Sequence, residues 1–170
     1  MRWRGGTPPN GFVLWQPGSV TSPRASEQRK ADALWKLNER HADLWLASAS
    51  TAGAVHLVPL SFAWDDTCVI VSSETGALTT TNITGSGSAR LALGATRDVV
   101  MIDSTLETIE PVGEAPAALG DCYAGQADWD PRLANGSFVY LRLRPQRVQV
   151  WREADEIAGR TVMRDGVWTV

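Results

Sequence analysis

The stretch "LWLASASTAGAVHLVPLSFAWDDTCVIVSS", Leu44 to Ser73, decides the fold class. From Asp43 onward the apolar residues stop recurring at helical intervals. They fall into short alternating or continuous runs, "DLWLASAS", "AVHLVPLSFAW" and "TCVIVSS", cut by "TAG" and "DD". Runs of this length, bounded by residues that tolerate tight turns, read as strands. Strands this close in sequence pair most simply with their neighbours, so the three form an antiparallel meander.

Upstream, "EQRKADALWKLNERH" places Ala31, Leu34, Trp35 and Asn38 on one face at helical spacing, which predicts a helix over Ser26–Arg40. Residues 1–25 hold Pro8, Pro9, Pro17 and Pro23 among several glycines and read as an extended arm. Trp3, Phe12, Leu14 and Trp15 in it are costly to leave in water, so the arm is expected to pack on a body or a partner chain. Downstream, "SSETGALTTTN" reads as a loop leading to a helical turn near Thr80–Thr84. "SARLALGA" and "DVVMIDSTLETIE" are two more strands, "APAALGDCYAGQ" is helical until "DWDPR" stops it, and "SFVYLRLRPQRVQVWRE" reads as two strands around Pro145. Residues 154–170 form a polar tail closed by Trp168. About seven strands with two or three helices in 170 residues make a mainly β (α+β) domain, a barrel of six or seven antiparallel strands with helices on its rim, over residues 26–153.

Composition narrows the partners. A net charge of −3 with scattered arginines gives no footprint for nucleic acid. No apolar run approaches membrane-spanning length and no signal peptide is visible, so a cytoplasmic protein is expected. Two isolated cysteines, Cys68 and Cys122, suit neither a disulfide framework nor a metal site.

The reactive residues form no recognisable catalytic constellation. His41 and Asp43 lack a third partner and read as a helix-end histidine beside a capping acid; Asp65 and Asp66 fit a tight turn. His56 alternates with apolar residues on its strand, as a surface polar residue or a donor at the edge of a cofactor. Hydrolase, nucleotide-phosphate and dinucleotide-binding motifs are absent. Eight tryptophans stand out; Trp151 and Trp168, beside Arg152, Arg160 and Arg164, have the chemistry to cover a flat or anionic ligand.

The order of these segments, "LWLASASTAGAVHLVPLSFAWDDTCVIVSS", then "LTTTN", "ARLALGATRDVV" and "WREADEIAGRTVMRDGVW", resembles the pyridoxamine 5'-phosphate oxidase-like split β-barrel proteins, in particular their flavin and deazaflavin oxidoreductase branch. The resemblance implies a homodimer of FMN-binding split-barrel type, with a flat flavin or deazaflavin in a groove between the barrels. By the same resemblance, Val58, Pro59, Leu60 and Ser61, with His56, run along the ring system. Ser72 and Ser73, with Thr80, Thr81 and Asn82, meet the phosphate side, and the tail with Trp151, Arg160 and Trp168 closes the groove. Family members commonly carry arginine or lysine just before the asparagine, where this chain has Thr81. Deazaflavin (coenzyme F420) is the first expectation, with hydride passing to an activated double bond of a small organic substrate. FMN chemistry on the same fold, or a non-catalytic binder of a flat ligand, are the alternatives.

Overall fold

A computed structural model describes residues 22–170. Most of the arm, with Trp3, Phe12, Leu14 and Trp15, lies outside the described residues. In chain order the elements are α1 (Ser26–Leu37), β1 (Asp43–Ala49), β2 (Val55–Trp64), β3 (Val69–Glu74), α2 (Leu78–Ser86), β4 (Ser88–Leu93), β5 (Val99–Pro111), α3 (Ala117–Gln126), β6 (Phe138–Trp151), β7 (Thr161–Arg164) and β8 (Val167–Trp168). The sheet order is β3-β2-β1-β4-β5-β6-β7-β8, and a further pairing of β3 with β6 closes the first six into an antiparallel barrel. Among the described residues no helix is long and apolar enough to cross a membrane.

Alternation builds the core. Leu44 and Leu46, Phe62 and Trp64, Val69 and Val71, Leu91 and Leu93, Val100 and Ile102, Leu141 and Leu143 all turn into the barrel. Each such side chain contributes on the order of 2 kcal/mol by leaving water. Outside the wall, under α3, a second cluster gathers Ala63, Ile70, Tyr123, Ala127 and Tyr140.

Three elements differ from the sequence reading. α1 buries Arg29, Ala33, Lys36 and Leu37, while Trp35 is 65% exposed and Ala31 and Asn38 face solvent. The buried stripe contains two cations because their stems pack and their heads find acceptors: Arg29 Nη1 donates to the Gly159 carbonyl at 3.0 Å, and Lys36 Nζ meets Asp98 at 2.9 Å. β6 runs unbroken through Pro145, which sits opposite Ser104 where the register with β5 shifts; a bulge tolerates a residue without an N–H. The polar tail is a strand pair: β7 joins the ladder of β6, and Val162 and Met163 enter the barrel core.

Between β4 and β5, Gly94 has φ +84°, and a Cβ there would fall 2.4 Å from the Asp98 carbonyl oxygen. Only glycine suits this turn. Its Asp98 joins an ion-pair network that binds α1 to the end of β6. Arg24 donates to Glu156 through its backbone N–H and Nε, each at 2.9 Å, and through Nη2 at 2.6 Å, and reaches Asp32 through Nη1 at 2.5 Å. Arg152 Nε adds a contact to Asp98 at 3.2 Å.

Glu156 is 4% exposed, and its hydrogen bond with the Arg24 side chain holds its carboxyl down at about 2, against an ordinary 4.5. Its folded-state value is depressed, so its contribution is full above about 4.5 and is lost as pH falls through about 2. Glu156→Gln is expected to cost about 2 kcal/mol at pH 7 and progressively less toward pH 2. Urea denaturation across that range checks it, and a deficit independent of pH would contradict the assignment.

Candidate functional site

β3 has two edges and uses them unequally. It pairs with β6 along Val69–Glu74 but with β2 only where Phe62–Trp64 meet Val69–Val71. Past that point β2 and β3 part. Among the described residues, Val55–Ser61 then keeps only β1 as a ladder partner and Ser72–Glu74 only β6. Two open backbone edges therefore face one another across a split.

The alternation of the ladder says which groups line it. The Asp65 N–H donates to the Cys68 carbonyl at 3.2 Å, so the hydrogen-bonded type of pair recurs at Ala63/Ile70 and would recur at Ser61/Ser72. Leu57, Pro59 and Ser61 thus turn their backbone groups toward the split. Proline costs nothing at such an edge, because the N–H it lacks has no ladder partner to lose.

At the apex stands Tyr123 of α3, fully buried. Its hydroxyl donates to the Ser61 carbonyl at 3.3 Å. Burial pushes the phenol well above its ordinary range, and neighbouring polar groups pull it only partly back. The neutral phenol is the form present at any physiological pH.

The sequence-derived residues divide into those that flank this split and those that do not. Val58 and Leu60, with His56, lie on the barrel side of β2 in phase with Phe62; Pro59 and Ser61 face outward. Ser61 Oγ lies 2.9 Å from carboxylate oxygens of both Asp43 and Asp128 and has one proton to give them. Ser73 shares the barrel face with Val69 and Val71. Ser72 faces the α3 side, its hydroxyl buried without a partner.

At the start of α2, Thr80 Oγ1 donates to the Glu74 carbonyl at 2.7 Å and Asn82 Nδ2 to Ser48 Oγ at 3.3 Å, while Thr81 points to solvent. Trp151 stands at the far end of β6 from its β3 contacts, opposite Val99, with the Arg160 guanidinium 5.5 Å from its ring centre. Trp168 pairs with Met163 on β8, under the Lys30 ammonium at 5.5 Å.

Positive charge is not assembled at α2, which carries no basic residue in its last turn and no lysine or arginine along Leu78–Ser86. Arg90 and Arg147 both grip Asp103, and Arg97 pairs with Glu153 at 2.8 Å. Arg160 has no carboxylate partner among the described residues but belongs to the Trp151 end. The outer face of the β1–β2 pair is apolar over one patch, where Trp45 opposes Pro59, Ala47 opposes Leu57 and Ala49 opposes Val55, and Arg90 on β4 borders it beside Ala47. Of these, Trp45 is 52%, Leu57 56% and Val55 78% exposed.

The other reactive groups stay quiet. Cys68 donates to Glu107 at 3.0 Å and is pushed up to about 11 by burial; Cys122 is raised by burial too, so neither is a thiolate at neutral pH. His41 is exposed at φ +57° and Asp43 is engaged with Ser61, so the His-x-Asp pair is not a capping arrangement on α1, which ends at Leu37. No cluster of three metal-ligating side chains occurs among the described residues.

Two residues of α3 escaped the sequence reading. One is Tyr123. The other is Gln126, whose Oε1 accepts from the Trp64 N–H at 2.9 Å while Nε2 donates to the Leu37 carbonyl at 2.6 Å, tying β2 to α1. Both sit in a short helix of weak amphipathicity, which gave them no pattern to stand out from.

No family model matches the chain, and no curated protein matches it. Solved structures do. A heme binding protein from Mycobacterium smegmatis superposes with a TM-score of 0.61 at 17% identity, over 86% of this chain and 60% of that one. An F420 reductase gives 0.52 at 21% identity, over 66% and 92%. General stress protein 26 from Bacillus anthracis gives 0.55 at 14%, over 74% and 92%. At these identities the likeness is one of fold alone, a split β-barrel.

If the start of α2 receives a cofactor phosphate, its hydroxyls and free N–H groups act there without a cation. Thr81→Arg places a guanidinium on the exposed side of that turn and is expected to tighten FMN binding about tenfold, the scale of one charge-assisted hydrogen bond. Tryptophan fluorescence titration reads this; an unchanged affinity would leave α2 as a helix start and nothing more.

Proposed function

We propose that this protein binds a flat flavin-type cofactor along the open edge of β2 and works as an oxidoreductase, with deazaflavin preferred over FMN. The observation that carries the reading is the parting of β2 from β3. It leaves one backbone edge of Leu57–Ser61, the edge away from β1, without a strand partner among the described residues, beside the half-buried side chains of Val58 and Leu60. An apolar wall next to a row of backbone donors and acceptors suits a planar ring with a polar rim. Bound there, a reduced deazaflavin supplies hydride for an activated double bond of a small organic substrate. The chain's own task is to orient the ring and exclude water. Asp43 and Asp128 beside Ser61 repel an anion, so the phosphate end points away from them, toward α2.

The groove needs a second wall. The apolar outer face at Trp45, Leu57, Val55 and Pro59 supplies it when two copies pack, giving the homodimer. In that dimer the β7–β8 strand pair, with Trp151, Arg160 and Trp168, covers the groove.

A second reading is a non-catalytic binder of a flat ligand. The absence of a cation along α2 favours it, and one structural neighbour is a heme binding protein.

Titration of the purified protein with coenzyme F420 and with FMN, followed by tryptophan quenching, separates these. Saturable binding of either at micromolar concentration is expected, with sedimentation as a dimer. Trp45→Asp is expected to give monomer and weaken binding at least tenfold, since a charge replaces an apolar interface anchor. If neither cofactor binds at high micromolar concentration, the redox reading gives way to the second one.

A further inference from the structure

We propose that Asn135, in the loop between α3 and β6, is a site of spontaneous covalent modification: its side chain cyclises onto the Gly136 nitrogen and is converted to aspartate or isoaspartate, and the isoaspartate form loosens the end of β3. The chemistry needs only water and proceeds with or without a cofactor.

The Gly136 nitrogen gives its proton to solvent and attacks Asn135 Cγ. The Cγ–Nδ2 bond breaks and ammonia leaves, closing a succinimide ring. Water then opens the ring. Cleavage at Cγ gives aspartate; cleavage at the main-chain carbonyl carbon of residue 135 gives isoaspartate, whose backbone is longer because it runs through Cβ and Cγ. Water is consumed and ammonia released in equal amounts, nothing is oxidised or reduced, and the chain gains a negative charge.

The loop leaves the reacting atoms open. Asn135 and Gly136 are both exposed, and among the described residues the Gly136 N–H donates to no acceptor and the Asn135 amide makes no hydrogen bond. The fold forces glycine here: φ is +124°, and a Cβ would fall 3.2 Å from Phe138 Cε2. The nitrogen beside Asn135 therefore has no side chain to shield it.

Comparable sites are closed. At the β7–β8 turn Asp165 also precedes a glycine, but the Gly166 N–H donates to the Gln146 carbonyl at 3.0 Å. Asn82 is buried and bonded to Ser48 Oγ, and the Asn38 amide donates to the Leu34 carbonyl at 2.8 Å while the next N–H, of Glu39, is held by the Lys36 carbonyl. A nitrogen held in a hydrogen bond reacts only when the structure opens locally.

The same loop anchors β3. The Ser137 carbonyl accepts from the Thr75 N–H at 2.9 Å and from Thr75 Oγ1 at 3.0 Å. Thr75 follows Glu74, the last residue of β3, whose carbonyl receives Thr80 Oγ1 of α2 at 2.7 Å. Lengthening the backbone at position 135 displaces the Ser137 carbonyl from its double contact, so isoaspartate frees the connection from β3 to α2.

Folded protein aged at neutral pH and mapped peptide by peptide tests this. Asn10, which also precedes a glycine, lies outside the described residues and is read separately. Conversion at Asn135 is expected within about threefold of its rate in the chain unfolded by guanidinium chloride, and about tenfold or more faster than at Asn38 or Asn82 in the folded protein. Survival of Asn135 in the folded protein, under conditions that convert it in the unfolded chain, overturns the proposal. In molecules that carry isoaspartate the Thr75 amide is expected to exchange with deuterium about fivefold faster. Asn135→Asp, which adds the charge without lengthening the backbone, and aged Asn135→Gln are expected to keep the rate of fresh wild type. Equal Thr75 exchange in modified and unmodified molecules overturns the loosening of β3.

Discussion

Everything that distinguishes this barrel from a sealed one follows from how β3 is shared. A strand has two edges, and β3 commits one of them to β6 over its whole length in order to close the cylinder. Its other edge meets β2 only near the Asp65–Cys68 turn. Full closure would hide every backbone group, as barrels usually do. This chain stops short on one side, and the open edge of β2 it leaves is the feature on which the proposed function rests.

The surroundings of that stretch are consistent with use. Pro59 sits where a missing N–H faces the split, the exposed apolar residues Trp45, Leu57 and Val55 lie on the outer face of the same strands, and the second core cluster under α3 supports the apex from behind. Apart from Asp43 and Asp128 at Ser61, the main charge networks are arranged elsewhere. Arg24, Asp32, Lys36, Asp98, Arg152 and Glu156 tie α1 to the end of β6 and the turn after it, and the Arg90–Asp103–Arg147 row crosses the sheet between β4 and β6. These networks satisfy one another and leave the split to backbone and apolar chemistry.

Much of this was legible in sequence. The meander over Asp43–Ser73 shows itself because alternation survives wherever one face is buried. The same logic failed for α1, where Ala31, Leu34, Trp35 and Asn38 form a plausible stripe, because buried lysine and arginine stems count as polar in any pattern. Pro145 was misleading for a related reason: proline breaks strands on average, but not at a bulge whose register only the partner strand reveals. Val58–Ser61 and Ser72–Ser73 do flank one opening, yet nothing local says that Ser72 and Ser73 face opposite ways across it. Tyr123 was invisible, since its hydroxyl meets the Ser61 carbonyl only through the packing of α3 on β2, far from it in the chain.

The most direct measurement is amide hydrogen exchange across the whole chain with and without coenzyme F420 or FMN. The account predicts protection at Leu57–Ser61 and Ser72–Asn82, on the two sides of the split, whether or not the covering β7–β8 pair gains protection as well. Protection that fell on the Trp151 and Arg160 end alone, with Leu57–Ser61 unchanged, would contradict it.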